Sequence, residues 1–144
     1  MKIKQLLLTT SLIAALAAFP ALAHEGEDHN HETAAKAVIF KAATAQDALA
    51  EVKASVKLLA DDVEGAQFDA IHEDIEKTEG SIRAIQAKAN LDGDKKARLE
   101  ASLKQLSAQL GKLHAASDAK NADKTKAEFK KVEGALKLVE NALK

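Results

Sequence analysis

Among 144 residues the sequence has no cysteine, no tryptophan and no tyrosine, and only one proline and one methionine. Without a thiol there can be no disulfide framework, Cys-ligated zinc finger, Cys-ligated iron–sulfur cluster, thiol nucleophile or covalent c-type haem. An excess of one charge is missing as well, since 21 Lys+Arg stand against 22 Asp+Glu for a formal net charge of −1. A nucleic-acid binder would carry a clustered basic excess and a row of aromatics for stacking bases. With 3% aromatic residues and balanced charge, neither is present, which argues against nucleic acid as a partner. The length suits one domain.

What is present begins with an export signal. Met1-Lys2-Ile3-Lys4 is a short positive start, Leu6 to Ala18 an apolar run, and Pro20-Ala21-Leu22-Ala23 a break followed by a small-x-small cleavage site. Residues 1–23 are predicted to be a signal peptide cleaved after Ala23. The apolar run is short for a bilayer span of about 20 residues, which favours cleavage over an uncleaved anchor and predicts no membrane insertion afterwards. With no cysteine to lipidate, the periplasm is the expected destination.

Processing removes the only methionine, Met1, the only proline, Pro20, and two lysines, leaving 121 residues with 19 basic and 22 acidic side chains. A thioether copper(I) site and a methionine-ligated haem are thereby excluded, and no proline interrupts a helix. The remaining transition-metal donors are five histidines and the carboxylates.

Residues 24–43 read as a His/acid-rich tail and linker. His24-Glu25-Gly26-Glu27-Asp28-His29-Asn30-His31-Glu32 has no apolar side chain with which to join a core, and is expected to be flexible. Val38, Ile39 and Phe40 follow in a linker or a frayed helix start.

Residues 44–144 have helical periodicity throughout. Thr44 and Asp47 suggest a capping box, and Leu49, Val52, Val56, Leu59 and Val63 recur in steps of three and four as one stripe, ended by Gly65. Phe68, Ile71, Ile75, Thr78, Ile82 and Ile85 form a second stripe, which fades into the turn Asn90-Leu91-Asp92-Gly93-Asp94. A third carries Leu99, Leu103, Leu106, Leu110 and Leu113 and loosens from Ser117 to Asn121; a fourth carries Phe129, Val132, Leu136, Val139 and Leu143 and runs to the last residue. Helices of about 20–24 residues span roughly 30–36 Å, and short loops make sequential helices antiparallel neighbours. The expected fold is all-α, an up-down-up-down antiparallel four-helix bundle. The alternative is a pair of long helical hairpins that dimerise, so both monomer and homodimer stay open.

Two groups of residues could hold a metal. Cleavage after Ala23 would give His24 a free amine beside its imidazole, with His29 and His31 close behind and carboxylates interleaved, a donor set suited to Cu(II), Ni(II), Zn(II) or Co(II). The competing reading is a solvated acidic leader. The second group is His72 and His114, both at the edge of an apolar stripe and at similar distances from the turn near Leu91-Asp92, so that they could meet at one end of the bundle. Asp69 and Glu76 flank His72 and Asp118 lies four residues after His114, within reach on the same helical faces. Two imidazoles with one or two carboxylates suit Cu, Ni or Zn. Two histidines can also ligate a b-type haem, which needs a wide apolar slot where these stripes look filled. A half-buried structural or pH-sensing role is the other alternative.

No Gly-rich phosphate loop, nucleophile elbow or Ser-His-Asp pattern is visible, and no enzymatic activity is expected. Gly80, Gly111 and Gly134 fall on outward positions.

The overall plan, with the segment Ala116-Ser117-Asp118-Ala119-Lys120-Asn121-Ala122-Asp123 before a final amphipathic helix, resembles exported bundles of the cytochrome b562 type. This chain lacks that family's haem-ligating methionine early in the first helix and histidine late in the last, so the resemblance implies the fold and not the haem. Ile71-His72-Glu73 with Lys77-Thr78-Glu79, and Leu113-His114-Ala115-Ala116-Ser117-Asp118, are similar to segments of small exported helical proteins of uncharacterised function. That resemblance covers roughly residues 44–144; it implies that His72 and His114 belong to a recurring pattern and brings no activity with it. The resulting expectation is a periplasmic, non-catalytic metal-binding protein. An envelope bundle that binds other proteins and a b-haem protein are the alternatives.

Overall fold

The computed structural model describes residues 41–144, and these form four α-helices without a strand: α1 Ala45–Glu64, α2 Phe68–Lys88, α3 Gly93–Asp118 and α4 Ala122–Ala142. The export segment and the tail bearing His24, His29 and His31 lie outside the described residues. Among the described residues no helix is long and apolar enough to cross a membrane.

The helix ends follow from local chemistry. At the start of α1, Thr44 Oγ1 accepts from the Asp47 amide at 3.1 Å while the Asp47 carboxylate accepts from the Thr44 amide at 3.0 Å, the reciprocal capping box that the residue spacing predicts. Gly65 caps the other end with an ordinary right-handed φ of −78°, and it is Ala66 that takes the left-handed turn at φ +52°. Hydrogen bonds from the Gln67 amide to the Asp62 carbonyl at 2.9 Å and from the Ala66 amide to the Val63 carbonyl at 3.3 Å complete a Schellman motif. The same motif ends α3, with Lys120 left-handed at φ +49° and the Asn121 amide bonded to the Ala116 carbonyl at 3.2 Å. The third helix therefore does not loosen at Ser117. Ser117 is a buried residue of its last turn, and the chain reverses three residues later. Asn121 then caps α4 by accepting from the Lys124 amide at 2.9 Å.

The four apolar stripes meet in one core. Leu59, Ile71, Ile85, Leu106, Leu110 and Leu113 are completely buried, each contributing roughly 1.5–3 kcal/mol relative to exposure. Of the stripe residues, Leu49, Phe68 and Leu143 are only partly buried, because they lie at the ends or edge of the packing. Thr78 occupies a fully buried place by donating its hydroxyl to the Asp74 carbonyl at 2.6 Å, so its polar atom is satisfied within the helix. Asp74, off the apolar stripe, is buried as well, with Lys77 Nζ on its carboxylate at 2.8 Å.

Each helix packs against two neighbours in a ring. α1 lies mainly along α2 and α3 mainly along α4, and the two pairs meet where α2 faces α3 and α1 faces α4. Lys53–Glu140 at 3.0 Å and Lys126–Glu64 at 2.9 Å tie α1 to α4. Ser81 donates to Glu51 at 3.2 Å between α2 and α1, and Ser117 donates to the Phe68 carbonyl at 3.1 Å between α3 and α2.

Candidate metal centre

The position of the two bundle histidines is set by their neighbours. Ile71 and Leu113 are completely buried, and one residue further along an α-helix turns the side chain by about 100°. His72 and His114 consequently emerge side by side at the edge of the α2–α3 seam, with side chains 47% and 35% exposed. Ser117 lies one turn beyond His114 and holds the start of α2 against α3 through the Phe68 carbonyl, which fixes the register of the two helices at this end.

The rings are in contact, with centroids 4.4 Å apart and planes inclined by 46°. Nε2 of His114 faces Nδ1 of His72 at 2.5 Å. The outer nitrogens face carboxylates: Nε2 of His72 lies 3.4 Å from Glu76, and Nδ1 of His114 lies 3.5 Å from Asp118. The four groups thus form a line, Glu76, His72, His114, Asp118, with three gaps between them.

Proton counting defines what this line can do. Two neutral imidazoles carry one N–H each, which fills two gaps of three. When both N–H groups point outward to the carboxylates, the inner nitrogens present lone pairs to one another, and either a proton or a metal ion between them completes the line. A carboxylate behind a ligating imidazole is the usual outer support of a histidine–metal bond, fixing the tautomer and orienting the ring. Two carboxylates also balance the charge of a divalent ion. A tetrahedral ion with bonds of about 2.0–2.1 Å holds its ligand nitrogens about 3.3 Å apart, so the rings need to part by under about 1 Å, which side chains this exposed can do.

His72, His114 and Asp118 also form a group whose potential ligand atoms all lie within 4.8 Å of one another. Two arrangements are therefore open to Asp118, as a third ligand or as the support of His114. Glu76 stands behind His72 and outside that group. Asp69, exposed in the first turn of α2, is not brought into it either. The sequence pattern did not single out Ser117, whose hydroxyl bond to the Phe68 carbonyl spans 49 residues of chain. A small polar residue inside a helical repeat carries no sign of a partner so distant.

A second charged cluster lies between α1 and α2. The Asp62 carboxyl titrates above its ordinary value because it is partly withdrawn from water and faces the Asp74 carboxylate, with Asp61 adding to the effect and Lys77 opposing it. Asp74 already pairs with Lys77 at 2.8 Å, so this cluster is an occupied ion pair with a second carboxyl beside it rather than a set of free ligands.

No family model matches the chain, and no curated protein or solved structure matches it either. The function therefore has to be argued from the site itself.

Proposed function

We propose that this protein is a non-catalytic metal-binding bundle of the periplasm, holding a divalent ion of copper, nickel or zinc between His72 and His114. The observation that carries the reading is the group of His72, His114 and Asp118, whose potential ligand atoms all lie within 4.8 Å of one another, with the Glu76 carboxylate behind His72. Nitrogen and oxygen donors without sulfur suit Cu(II), Ni(II) and Zn(II). The predicted signal peptide supports the location, and the predicted tail offers His24, His29 and His31 as a second set of donors. The polar links of α1 to α4 and of α2 to α3 pair the end of one helix with the start of the other, as an up-down-up-down course requires. Two rings in direct contact are a poor fit to a b-type haem, whose axial imidazoles stand on opposite faces of the macrocycle.

Titrating the chain lacking residues 1–23 with each ion by calorimetry tests the proposal. One ion per chain is expected at the bundle, with a Kd below about 10 μM, and loss of that site in His72→Gln and His114→Gln. Weaker binding for all three ions, or binding that survives both substitutions and disappears only with the tail, overturns it.

A second reading, in which the bundle docks an envelope protein, is favoured by Leu58 and Leu138, which are 54% and 43% exposed. It predicts that Leu58→Gln and Leu138→Gln abolish function in the cell while the histidine substitutions leave it intact.

A further inference from the structure

The two ends of the α2–α3 seam are held differently. At one end the chain itself joins the helices, through Ala89 to Asp92. The other end is some 24 Å away at 1.5 Å per residue, and no covalent connection restrains it. There, among the described residues, the polar links across the seam are Ser117 to the Phe68 carbonyl and the contact of His72 with His114. Between the two ends the seam opens into a groove of about 440 Å³, lined by Ile82, Gln86, Glu100, Leu103, Lys104 and Ser107. The opposite seam, between α1 and α4, is tied at one end by Lys126–Glu64 and again from the middle of α1 by Lys53–Glu140.

We infer that an ion at His72 and His114 acts as a reversible clamp on the free end of this seam, locking the α1–α2 pair of helices to the α3–α4 pair. This rests on the proposal that the two histidines hold an ion. A bond from each ring to the same ion closes a chain loop between residues 42 positions apart. Closing a loop of that size removes conformations in which the helices separate, as a disulfide would, while remaining exchangeable. Because His72 and His114 lie on different helix pairs, parting of the pairs at this end destroys the site. The bound ion therefore opposes that particular opening by mass action, and it has no effect on openings elsewhere that leave both ligands in place. The groove lies on the same seam, so the ion also restricts how far its walls can separate.

Amide hydrogen exchange on the chain lacking residues 1–23, with and without Zn(II) at about a hundred times its Kd, tests the clamp. Exchange should slow by up to about 100-fold at amides of Ile71–Thr78 and Leu110–Ser117, while those of Val52–Leu59 in α1 change by less than about twofold. His114→Gln should remove the zinc effect. Uniform slowing through all four helices would overturn the clamp, because the ion would then oppose only global unfolding. Unchanged exchange alongside calorimetric binding would overturn it too, while the metal site stood. Absence of calorimetric binding would remove the site and the clamp together.

Discussion

Ile71 and His72 are consecutive, as are Leu113 and His114, yet the first of each pair is completely buried and the second stands at the surface. The difference is a rotation of about 100° around the helix axis, and it separates two jobs. The aliphatic pair supplies burial energy and fixes the rotation and height of α2 and α3. The imidazole pair is half-buried and inherits its geometry from that packing. A surface site on a helix is usually only as well defined as the flexible side chains that make it. Here the main-chain positions of both histidines are set by completely buried side chains, one residue away on each helix.

The sharpest way to break the comparison is to loosen the buried partner. Leu113→Ala removes a completely buried side chain beside the site, and a loss of about 2–5 kcal/mol in unfolding free energy is expected. Denaturant melts of the metal-free protein measure that loss. The same variant should weaken zinc binding at calorimetry even though Leu113 offers no ligand, since the cavity lets α3 shift and His114 with it. Full stability with unchanged affinity would show that the site does not depend on the core behind it.

The aliphatic half of this comparison was legible in the sequence and the imidazole half only in outline. Steps of three and four in Leu, Ile and Val are a direct consequence of 3.6 residues per turn, so the four stripes, the Thr44 capping box and the turn after Asn90 could all be read from spacing. Left-handed residues were a different matter. Glycine is the usual sign of a helix C-terminus, but Gly65 sits one position early and Ala66 and Lys120 take the turns, tolerating a conformation that costs an L-residue about 1–2 kcal/mol. Spacing could bring His72 near His114, because both were placed relative to one turn. It could not say which nitrogens face each other, that Glu76 and Asp118 take the outer ones, or that Asp69 is left aside, for those depend on rotamers and on the axial offset of α2 and α3. Ser117 adds to the packing that holds that offset through a bond to a main-chain carbonyl, an acceptor that every residue possesses and that leaves no mark on sequence.

The seam between α1 and α2 provides a polar counterpart to the histidine edge, with a smaller expected effect. Asp62 is the reverse of a favourable ion pair, as its carboxyl is held above the ordinary 3.8 by partial burial and by the Asp74 carboxylate. The unfolded chain releases this proton first as pH rises past 3.8, so between that value and the higher folded one stability falls with increasing pH. The cost is fully present at neutral pH, where the folded protein holds the charge against its neighbour. Asp62→Asn should therefore raise the Tm near pH 7, and the gain should shrink towards pH 3, below the ordinary carboxyl value. Thermal melts at the two pH values check it. A gain that persists in acid would point to packing and away from charge.

The smallest expected effect is the most discriminating. His72→Gln combined with His114→Gln removes both rings from a solvent-facing edge without touching Ile71 or Leu113. Surface substitutions away from buried features change stability by about 0.5 kcal/mol or less, and the metal-free double variant should melt in denaturant within that margin of the wild type. If instead the double variant is destabilised by much more, the histidines are part of the packing of α2 on α3, and the separation between buried and exposed neighbours fails. If it matches the wild type in the absence of metal and differs from it only when zinc is added, the two halves are independent. The imidazoles would then have no structural reason to be where they are, and the line from Glu76 to Asp118 would stand on its ability to hold an ion.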